Sequence, residues 1–426
     1  MSSNWDQRGR GSYPPPRQRQ NNGGRSGYDR YSDYDRYAAN ARSGYSQGSR
    51  SRQSAAQRKA AAARKRRNKA FLVAFLSVAS LLIIAANVAV FYVDSIFDKI
   101  EFVTEEEMTI AEDISSIELS DVDEGEENID AKPLTPEELE ALRSSLSKDV
   151  FSEDELFSRP GVTNVLLLGL DDRSGSGKRC RSDSIIILSI NDNTDQIVMN
   201  SIMRDCYVHI PGRDDGDRIN AANAYGGPAL AIKTVESNFG INIDKFVALD
   251  FYAFIDMVDA LGGVTLTVTE AERQVMNDYI EVINSDTGVS DINKGKLKQA
   301  GENITVTGKQ ALGYVRNRYT GNGDFKRTER QREVLNLIIE KVKQSNATAL
   351  LDVADAAAGH MSTDYTRSEL LSLASNVLDY KDYQVIQNRL PIDNSWEYAE
   401  INGASMIKLQ LEPNRAALLE SIYGVQ

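Results

Sequence analysis

The stretch NVLLLGLDDRSGSGKRCRSDSIIILSINDNTDQIVMNSIMRD, residues 164–205, contains three short apolar runs separated by polar segments. Each run is rich in branched aliphatic residues and is bounded by Gly, Asp or Asn, which is typical of buried β-strands. The segment NDNTD between the last two runs has the length of a hairpin loop. We therefore predict a buried strand that opens into a loop at Asp171, followed by a hairpin folded about residues 193–194.

Helix and strand signals alternate downstream of this stretch. PALAIKTVESNFG predicts a helix that begins at Pro228 and ends before Gly240. DKFVALD, FYAFIDMVDALGG and VTLTV follow in the order strand, helix, strand, as in a βαβ unit. RTERQREVLNLIIEKVKQ is a strongly amphipathic helix, and helical SELLSLASNVL precedes strand-like YQVIQNRL near the C-terminus. The alternation predicts a single α/β domain over residues 159–426.

The N-terminal part of the chain differs from the rest in charge and hydropathy. Residues 1–69 carry 17 Lys and Arg against 4 Asp and few aliphatic side chains, which predicts a disordered basic tail. Residues 70–93, AFLVAFLSVASLLIIAANVAVFYV, hold no charge and are long enough to cross a bilayer as a helix. An uncleaved signal anchor fits best, and a buried core helix or a cleaved signal peptide are the alternatives.

Charges on the two sides of the apolar segment predict its orientation. RKAAAARKRRNK precedes it, whereas Asp94 and Asp98 follow it, and basic residues favour the cytoplasmic side. We therefore predict a single-pass cell-membrane protein with a cytoplasmic N-terminus and an extracellular folded domain. The basic tail could instead bind nucleic acid, but the adjacent anionic lipid headgroups are a simpler partner, so no nucleic-acid partner is predicted.

An acidic segment separates the membrane span from the folded domain. Residues 101–130 contain 13 Asp and Glu and neither Lys nor Arg, which favours an extended, self-repelling chain. Residues 94–158 are therefore predicted to be an acidic extracellular stalk. A short helix is predicted at 135–147, with Thr135 as its cap and Pro136 at its first position.

Several kinds of chemistry are excluded by composition. The chain has two histidines, His209 and His360, and two cysteines, so catalysis or metal binding built on several histidines or a zinc framework is not expected. It contains no G-x-S-x-G elbow, phosphate-binding P-loop or G-x-G-x-x-G motif. Carboxylates and arginines are the remaining candidates for function.

Two carboxylates stand beside the predicted strands. Asp171 follows the first strand and Asp183 begins the next, so a loop between them can bring both acids together at one sheet edge. Paired carboxylates suit Mg²⁺, which completes its coordination with waters and phosphate oxygens. On spacing alone, solvated turn residues are an equal alternative. If the hairpin forms, however, it returns Arg204 to the side of Asp183, and acids and arginines then share one site.

A second cluster, VRNRYTGNGDFKRTERQ at 315–331, concentrates positive charge in an acidic chain. Helical periodicity places Arg327 and Gln331 on the apolar face of the following helix, and Arg330 toward its edge. An inward-facing arginine needs an anion, which can be a protein carboxylate or a phosphate. The loop YTGNGDF would let Arg316 and Arg318 approach the same anion. The cluster alone leaves both interpretations open.

These segments together resemble the LytR-CpsA-Psr (LCP) family of envelope proteins of Gram-positive bacteria. The resemblance extends over about residues 163–345 and includes NVLLLGLDD, RSDSIIILSIN, SIMRDCYVHIPG, RINAANAYGG, GKQALGYVRNRYT and GDFKRTERQREVL. It implies an α-β-α sandwich-like domain with a mixed central sheet, after one membrane helix. The family's usual proline is Met203 here, and its usual small residue after Asp205 is Cys206.

The resemblance implies an Mg²⁺-dependent phosphotransferase, with Mn²⁺ as a substitute metal. Such enzymes transfer a capsule or wall teichoic acid glycopolymer from a polyprenyl-pyrophosphate carrier to peptidoglycan through a phosphodiester. Asp171, Asp183 and Arg204 would be catalytic, and the two aspartates would also hold the metal. The implied pyrophosphate-binding residues are Arg181, Arg204, Lys233, Arg316, Arg318, Arg327 and Gln331. Asp183 is the first candidate for general base and Asp324 the second.

Two alternatives to transfer remain open at this point. A noncatalytic scaffold or regulator could bind lipid-linked precursors without turning them over, and a hydrolase could use water in place of the acceptor. The predicted hairpin also brings Cys180 and Cys206 within about one residue of register, where outside the membrane they could form a disulfide. Two free thiols are the alternative.

Overall fold

The computed structural model describes a chain that divides into two compact units, residues 1–85 and 86–426. The described residues are 39–109, 114, 115, 117, 119, 131–172, 180–376 and 379–425, with side chains from residue 55 onward. Residues 1–38, which the sequence predicts to be disordered, lie outside the described residues. So do most of residues 110–130, in the acidic segment, and residues 173–179, in the loop after Asp172.

A single long helix, α1 (Ala39–Phe97), contains the apolar segment predicted to cross the membrane. It is long and apolar enough to span a bilayer. Its most apolar 18-residue stretch is not buried against protein, so the alternative of a buried core helix is excluded. The prediction of disorder was wrong for residues 39–69, which are helical. The reason is local, because RKAAAARKRRNK is rich in Ala, Arg and Lys, which are strong helix formers.

The second unit contains strands and helices in alternation. Its described strands are β1 (Glu101–Phe102), β2 (Lys132–Pro133), β3 (Val162–Leu170), β4 (Ser182–Asn191), β5 (Gln196–Ile202), β6 (Cys206–Val208), β7 (Asp217–Arg218), β8 (Lys245–Leu249), β9 (Val264–Val268), β10 (Gly301–Val306), β11 (Met361–Thr363), β12 (Gln384–Leu390), β13 (Trp396–Ile401) and β14 (Ala404–Leu409). Its helices are α2 (Pro136–Lys148), α3 (Ala221–Phe239), α4 (Phe251–Ala260), α5 (Glu270–Asp286), α6 (Gly308–Val315), α7 (Gly323–Gln344), α8 (Ala347–Ala358), α9 (Arg367–Asn376) and α10 (Leu411–Tyr423).

The central sheet has seven strands in the order β1-β11-β8-β3-β4-β5-β12. Strands β3 and β8 are parallel, as are β5 and β12, whereas β4 is antiparallel to both β3 and β5. The β4–β5 register pairs Asn191 with Gln196, which confirms the predicted hairpin about residues 193–194. The sheet is therefore mixed, as the resemblance implied.

Two smaller sheets complete the fold. One has the order β2-β13-β14-β6-β7, and the other is the β9–β10 pair. The predicted βαβ unit is wrong in one respect, because β9 pairs with β10 and not with the sheet that contains β8. Residues 264–268 alternate between buried and exposed positions, as expected for a strand of a separate two-stranded sheet with one face to solvent.

The two faces of the central sheet are covered by different elements. Ile185 and Ile187 of β4 join the main hydrophobic core, which also contains residues of α3 and α10. Ser184 and Ile186 point to the opposite face, because successive strand residues alternate, and they line a cavity on the side of α4, α5, α6 and α7. A second hydrophobic cluster joins these four helices to β9 and β10. Helices thus lie on both faces of the sheet, which confirms the predicted sandwich.

The folded domain begins before the predicted boundary at residue 159. Helix α2 starts at the predicted Thr135 cap, whose hydroxyl accepts the Glu138 N–H, and its Leu146 lies in the main core. Strand β1 joins the central sheet and β2 joins the five-stranded sheet. The described parts of residues 94–158 are therefore packed into the domain, where the sequence predicted an extended stalk.

Candidate active site

A cavity of about 400 Å³ lies between the central sheet and helices α4 to α7. Its charged part is formed by Asp171, Asp172, Asp183, Arg204, Arg316, Arg318, Arg327 and Gln331. Its apolar part includes Phe254, Ile255, Met257, Ile283, Leu312, Leu335 and Ile338. The structure thus brings most of the predicted site residues from three distant stretches of chain into one cavity.

Arg204 and Asp183 form the centre of the charged part. The hairpin β4–β5 brings them together as predicted, and Arg204 Nη1 donates to Asp183 Oδ1 at 2.8 Å. Burial opposes ionisation of Asp183, but the positive charges of Arg204 and Arg327 outweigh it and lower the pKa of this carboxyl. Asp183 is therefore an ionised carboxylate in direct contact with Arg204.

Asp324, at the start of α7, binds Arg204 and Arg327 on the side away from the cavity. Its Oδ2 accepts from Arg327 Nη2 at 2.9 Å and from Arg204 Nε at 3.4 Å, and its side chain is buried. Burial opposes its ionisation, but Arg327, Asp205 and Arg204 hold the pKa of Asp324 well below its usual range. Asp324 does not line the cavity, so its geometry suits a positioning residue better than the general base for which it was the second candidate.

Asp205 extends this buried network toward the five-stranded sheet. Its two carboxylate oxygens lie 3.6 Å from Arg204 Nε and 3.4 Å from Arg218 Nε. Burial and the negative charge of Asp324 raise the pKa of Asp205, although Arg204 and Arg218 oppose the shift. Asp324 is therefore the more readily ionised of the two carboxyl groups, and its negative charge neutralises Arg204.

Arg316 and Arg318 enter the cavity from the loop between α6 and α7. The Arg316 guanidinium lies 4.2 Å from the ring centre of Phe251 and 5.3 Å from that of Tyr279, and its Nη2 is 3.7 Å from Asp171 Oδ2. Stacking on two rings fixes the plane of the guanidinium while leaving its donors directed along its edge. The Arg316 side chain is thus oriented mainly by the two rings, and its contact with Asp171 is a loose one.

Arg330 fixes the loop that carries these two arginines. Its Nη1 donates to Asn317 O at 2.7 Å, and its Nη2 donates to both Thr320 O and Thr320 Oγ1. The Asn317 side chain in turn accepts the N–H groups of Tyr319 and Thr320, which closes the turn. Arg330 therefore supports the site without lining it.

Helix α7 connects the charged and apolar parts of the cavity. Arg327, Gln331, Leu335 and Ile338 lie on one face at spacings of three and four residues, and all four line the cavity. Gln331 Nε2 lies 3.5 Å from the backbone oxygen of Asp183. The predicted inward face of this helix is thus confirmed, and its aliphatic part forms a wall of the cavity.

Comparison with known proteins agrees with this geometry. The LytR_cpsA_psr family model matches residues 127–417, more than half of the chain. This chain belongs to the LytR_cpsA_psr family. A relative from Oceanobacillus iheyensis, named polyisoprenyl-teichoic acid–peptidoglycan teichoic acid transferase TagU, is 34% identical over 251 residues, covering 56% of this chain and 71% of its own. A protein of the same name from Enterococcus faecalis is 34% identical over 279 residues, covering 63% and 82%.

A solved structure of the same fold supports the assignment. The crystal structure of a Streptococcus agalactiae protein aligns with a TM-score of 0.52 and 25% sequence identity, covering 62% of this chain and 87% of that one. Two departures from the family pattern lie at buried positions, where Met203 and Cys206 are 1% and 0% exposed. Both side chains are apolar members of the main core, so neither removes a charged group from the LytR_cpsA_psr site.

Two of the predicted pyrophosphate-binding residues lie apart from the cavity. Lys233 was placed wrongly, because α3 buries Leu230 and Thr234 and turns Lys233 to solvent, where it lies 3.5 Å from Glu153. Arg181 does not line the cavity either, and its backbone oxygen accepts the Asp171 N–H at 3.2 Å. In this structure the Arg181 backbone therefore connects the end of β3 to the start of β4.

The two cysteines are free thiols, so the structure does not contain the proposed disulfide. The hairpin ends at Ile202, and Cys206 turns into β6, where it pairs with Ile407 of β14 in the other sheet. Burial raises the pKa of Cys180 to about 12 and that of Cys206 further. Both side chains are therefore protonated, whereas disulfide formation requires a thiolate.

Sequence reasoning missed three residues of the cavity. Asp172 is buried beside Asp171, and its position in the motif LDD was the available signal. Phe251 and Tyr279 come from α4 and α5, and no sequence pattern indicated that both would stack on Arg316. Among the described residues, no group of three or more His, Cys, Asp or Glu side chains forms a ready metal site.

Proposed function

We propose that this protein transfers a glycopolymer of the capsule or wall teichoic acid type from a polyprenyl-pyrophosphate carrier to peptidoglycan. The observation that carries the proposal is a single cavity with an arginine-rich part next to an aliphatic part. A glycan-linked lipid pyrophosphate has the same two parts, a dianionic diphosphate and a hydrocarbon tail. Guanidinium groups bind phosphate oxygens in pairs, and aliphatic side chains bury the hydrocarbon. The relatives from Oceanobacillus iheyensis and Enterococcus faecalis are named as teichoic acid transferases, which supports the same substrates.

The donor set also fits a divalent metal. Asp171 and Asp183 line the same cavity, and the lowered pKa of Asp183 keeps its carboxylate charged. Mg²⁺ commonly takes one or two protein carboxylates and obtains its other ligands from substrate phosphates and water, so a cluster of three is not required. We assign Asp171 and Asp183 to hold Mg²⁺, or Mn²⁺ in its place. The metal would neutralise charge on the pyrophosphate.

The chemistry requires positioning and charge neutralisation more than covalent catalysis. Arg204 and Arg327 are fixed by Asp324, and Arg316 is fixed by its aromatic stack, so all three face the substrate at little entropic cost. The acceptor hydroxyl oxygen bonds to the phosphorus that carries the glycan. The bond from that phosphorus to the bridging oxygen breaks, and polyprenyl phosphate leaves. Asp183 accepts the hydrogen bond of the hydroxyl and takes its proton.

We infer that this reaction takes place outside the cell. The basic residues before the apolar segment of α1 favour a cytoplasmic N-terminus, so residues after 93 would lie on the extracellular side. Both the lipid carrier, once translocated, and peptidoglycan are accessible there. The helix would anchor the protein in the same bilayer as the carrier.

The test uses the full-length protein in lipid nanodiscs with polyprenyl-pyrophosphate glycan and peptidoglycan. We expect phosphodiester-linked product with Mg²⁺, and no product with a chelator. Arg204→Ala should lower the rate by about 10²–10³-fold, as for loss of one preorganised donor. The matched control is Arg367→Ala, because this arginine is exposed and pairs with Asp98 away from the cavity.

Arg318→Gln is a second variant, since in the described part of the chain Arg318 makes no buried ion pair whose loss would unfold the protein. It should also lower the rate, by about tenfold. Equal product from native protein and both variants would overturn the phosphate-binding assignment. Polymer phosphate released without attachment to peptidoglycan would identify a hydrolase, and binding of the lipid without turnover would identify a scaffold.

A further inference from the structure

Asp205 carries a largely buried carboxyl group that the proposed mechanism does not use. It follows Arg204 directly, in the turn before β6, and its backbone oxygen accepts the Ile407 N–H at 2.9 Å. Its side chain is 15% exposed and does not line the cavity. Asp205 therefore lies between the charged part of the cavity and the five-stranded sheet, where it can affect the substrate only through other residues.

Two carboxyl groups compete for one hydrogen of Arg204. Asp205 Oδ2 lies 3.6 Å from Arg204 Nε, and Asp324 Oδ2 lies 3.4 Å from the same nitrogen. The side chains of Asp205 and Asp324 are within hydrogen-bonding reach of each other. Asp324 Oδ1 is buried and accepts no hydrogen bond from an N–H or hydroxyl donor in the described part of the chain. A proton between the two carboxyl groups would satisfy this oxygen, because a protonated carboxyl donates through its O–H.

The surroundings of Asp205 favour its protonated form. The charged groups that face it are Arg204, Arg218 on β7, which lies 3.4 Å from its Oδ1, and Asp324 on α7. Burial raises the pKa of the neighbouring Cys206 thiol, which therefore adds no charge. Burial and the negative charge of Asp324 raise the pKa of Asp205 to about 7, although Arg204 and Arg218 oppose the shift. Asp205 thus gains or loses its charge near neutral pH.

This proton determines how much positive charge remains beside the cavity. One connected set of ion pairs joins three carboxyl groups to three arginines, namely Asp183, Asp205, Asp324, Arg204, Arg218 and Arg327. When all three carboxyl groups are ionised, the six charges cancel. When Asp205 is protonated, one positive charge remains. A diphosphate dianion is therefore attracted more strongly to the protonated state.

We propose that Asp205 is a positioning residue that shares one proton with Asp324, orients Arg204 through that carboxylate, and couples binding of the diphosphate donor to uptake of a proton. The proposal rests on the proposed transfer reaction for the identity of the donor. The coupling is reciprocal, so the bound dianion favours protonated Asp205 as much as protonated Asp205 favours the dianion. The proton comes from solvent and stays on the carboxyl pair, and none passes to the substrate.

Calorimetric titration measures this coupling without turnover. Full-length protein in nanodiscs, with Mg²⁺ and without peptidoglycan, is titrated at pH 7 with a water-soluble short-chain prenyl diphosphate sugar. The diphosphate of this probe is a dianion that does not titrate near neutral pH. Buffers of different ionisation enthalpy report the protons taken up. Because Asp205 is about half protonated at pH 7 in the free protein, we expect uptake of about half a proton per probe bound.

Asp205→Asn replaces the carboxyl group with an uncharged group of the same shape. Its amide donates to Asp324 as the protonated carboxyl does, so affinity at pH 6 should stay near the native value while proton uptake is lost. The matched control is Glu236→Gln, because burial raises the pKa of Glu236 to about 7 as well. Glu236 belongs to α3, on the face of the central sheet opposite the cavity, so this variant should keep the native uptake.

The pH dependence of transfer provides a second measurement. As pH rises through about 7, Asp205 loses its proton and donor binding weakens. KM for the lipid-linked donor should therefore rise about tenfold from pH 6 to pH 9 in native protein and in Glu236→Gln, and stay constant in Asp205→Asn. The lowered pKa of Asp183 keeps the proposed base ionised over this range, so kcat should not follow the same profile. A purely structural role for Asp205 would change stability and leave the KM profile unaltered.

Three results would overturn the role of Asp205. They are no net proton uptake by native protein, the same uptake in Asp205→Asn as in native protein, and a KM profile that Asp205→Asn leaves unchanged. Failure of the probe to bind native protein would overturn both this role and the transferase proposal. If the probe binds with proton uptake that depends on Asp205 but no polymer is transferred, the transferase proposal fails and the role of Asp205 stands.

Discussion

Arg327 and Arg330 lie one helical turn apart on α7 and are both buried, yet their surroundings differ. Arg330 donates from all three of its nitrogens to Glu272, Asn317 and Thr320. Arg327 donates to Asp324 through Nη2, and within the described residues its buried Nε has no acceptor. The comparison shows that burial alone does not distinguish a structural arginine from a substrate-binding one. What distinguishes the two is whether the buried guanidinium still has donors without an acceptor, as Arg327 does within the described residues.

The carboxylates of the two pairs differ in the same way. Asp324 accepts from both Arg327 and Arg204, so it keeps a cation when either is removed. Glu272 pairs with Arg330 alone in the described part of the chain, and its other oxygen caps α5 through Thr269. Arg204 therefore compensates for loss of the Arg327–Asp324 pair, whereas no second cation compensates for loss of the Arg330–Glu272 pair within the described residues.

The largest expected effect tests the structural pair. Arg330→Met should destabilise the protein by about 3–5 kcal/mol, because it leaves Glu272 as a buried charge without a partner. Denaturant unfolding of the protein, followed by circular dichroism, measures the loss. Double replacement with Glu272→Leu should recover part of it, since no charge then remains unpaired. A loss below about 1 kcal/mol for the single variant would show that the pair is not structural.

The next effect tests the other member of the comparison. Arg327→Gln should lower the transfer rate by about 10²–10³-fold, as for loss of a preorganised donor to the transition state. It should cost only about 1–2 kcal/mol of stability, because Arg204 still neutralises Asp324. Rate and unfolding free energy are measured on the same preparation. A stability loss equal to that of Arg330→Met would remove the distinction between the two arginines.

Part of this distinction was accessible from the sequence. Helical periodicity placed Arg327 and Gln331 on the inner face of α7, because that signal depends only on local spacing. It placed Arg330 toward the edge, whereas the structure buries it almost completely, at 1% exposure. The difference arises from the loop of residues 317–320, which folds back over the helix, and such a long-range contact has no periodic signature.

The same limit explains the success and failure of the other site residues. Asp183 and Arg204 were predicted to meet because a hairpin of known loop length fixes its own register. Lys233 was assigned through the family resemblance, although Leu230 and Thr234 mark a buried stripe of its helix that excludes it. Of the helices that close the cavity, α4 and α7 were predicted as helices and α5 and α6 were not. The packing of α4 and α5 around Arg316 depends on tertiary contacts, which have no local signal.

Acid pH should reduce the contribution of the Arg330–Glu272 pair to stability, and with it the difference between this pair and the Arg327–Asp324 pair. Burial opposes ionisation of Glu272, but the Thr269 hydrogen bonds and Arg330 outweigh it and lower its pKa. A lowered native pKa stabilises the fold above the unfolded pKa of about 4.3, and this stabilisation is lost as pH falls through the native value. The stability gap between native protein and Arg330→Met should therefore be constant from about pH 8 to 6 and narrow toward about pH 3. A gap that does not change with pH would contradict the ion-pair explanation.

The smallest effect concerns how the loop arginines are oriented. Phe251→Leu removes one of the two rings that contact the Arg316 guanidinium while keeping an apolar side chain in the wall of the cavity. A cation–π contact at a partly exposed site contributes about 0.5–1 kcal/mol, so KM for the lipid-linked substrate should rise about twofold to fivefold. The free energy of unfolding should change little. Arg330→Met should show the opposite pattern, a large loss of stability and little change in KM.

The matched control for this effect is Phe254→Leu, because the Phe254 ring lines the apolar part of the same cavity, whereas the Phe251 ring stacks on the Arg316 guanidinium. Both substitutions remove a ring of the same size from the same helix, so they differ mainly in the loss of the cation–π contact. An equal rise in KM in both variants would mean that lost cavity packing, and not the orientation of Arg316, accounts for the effect.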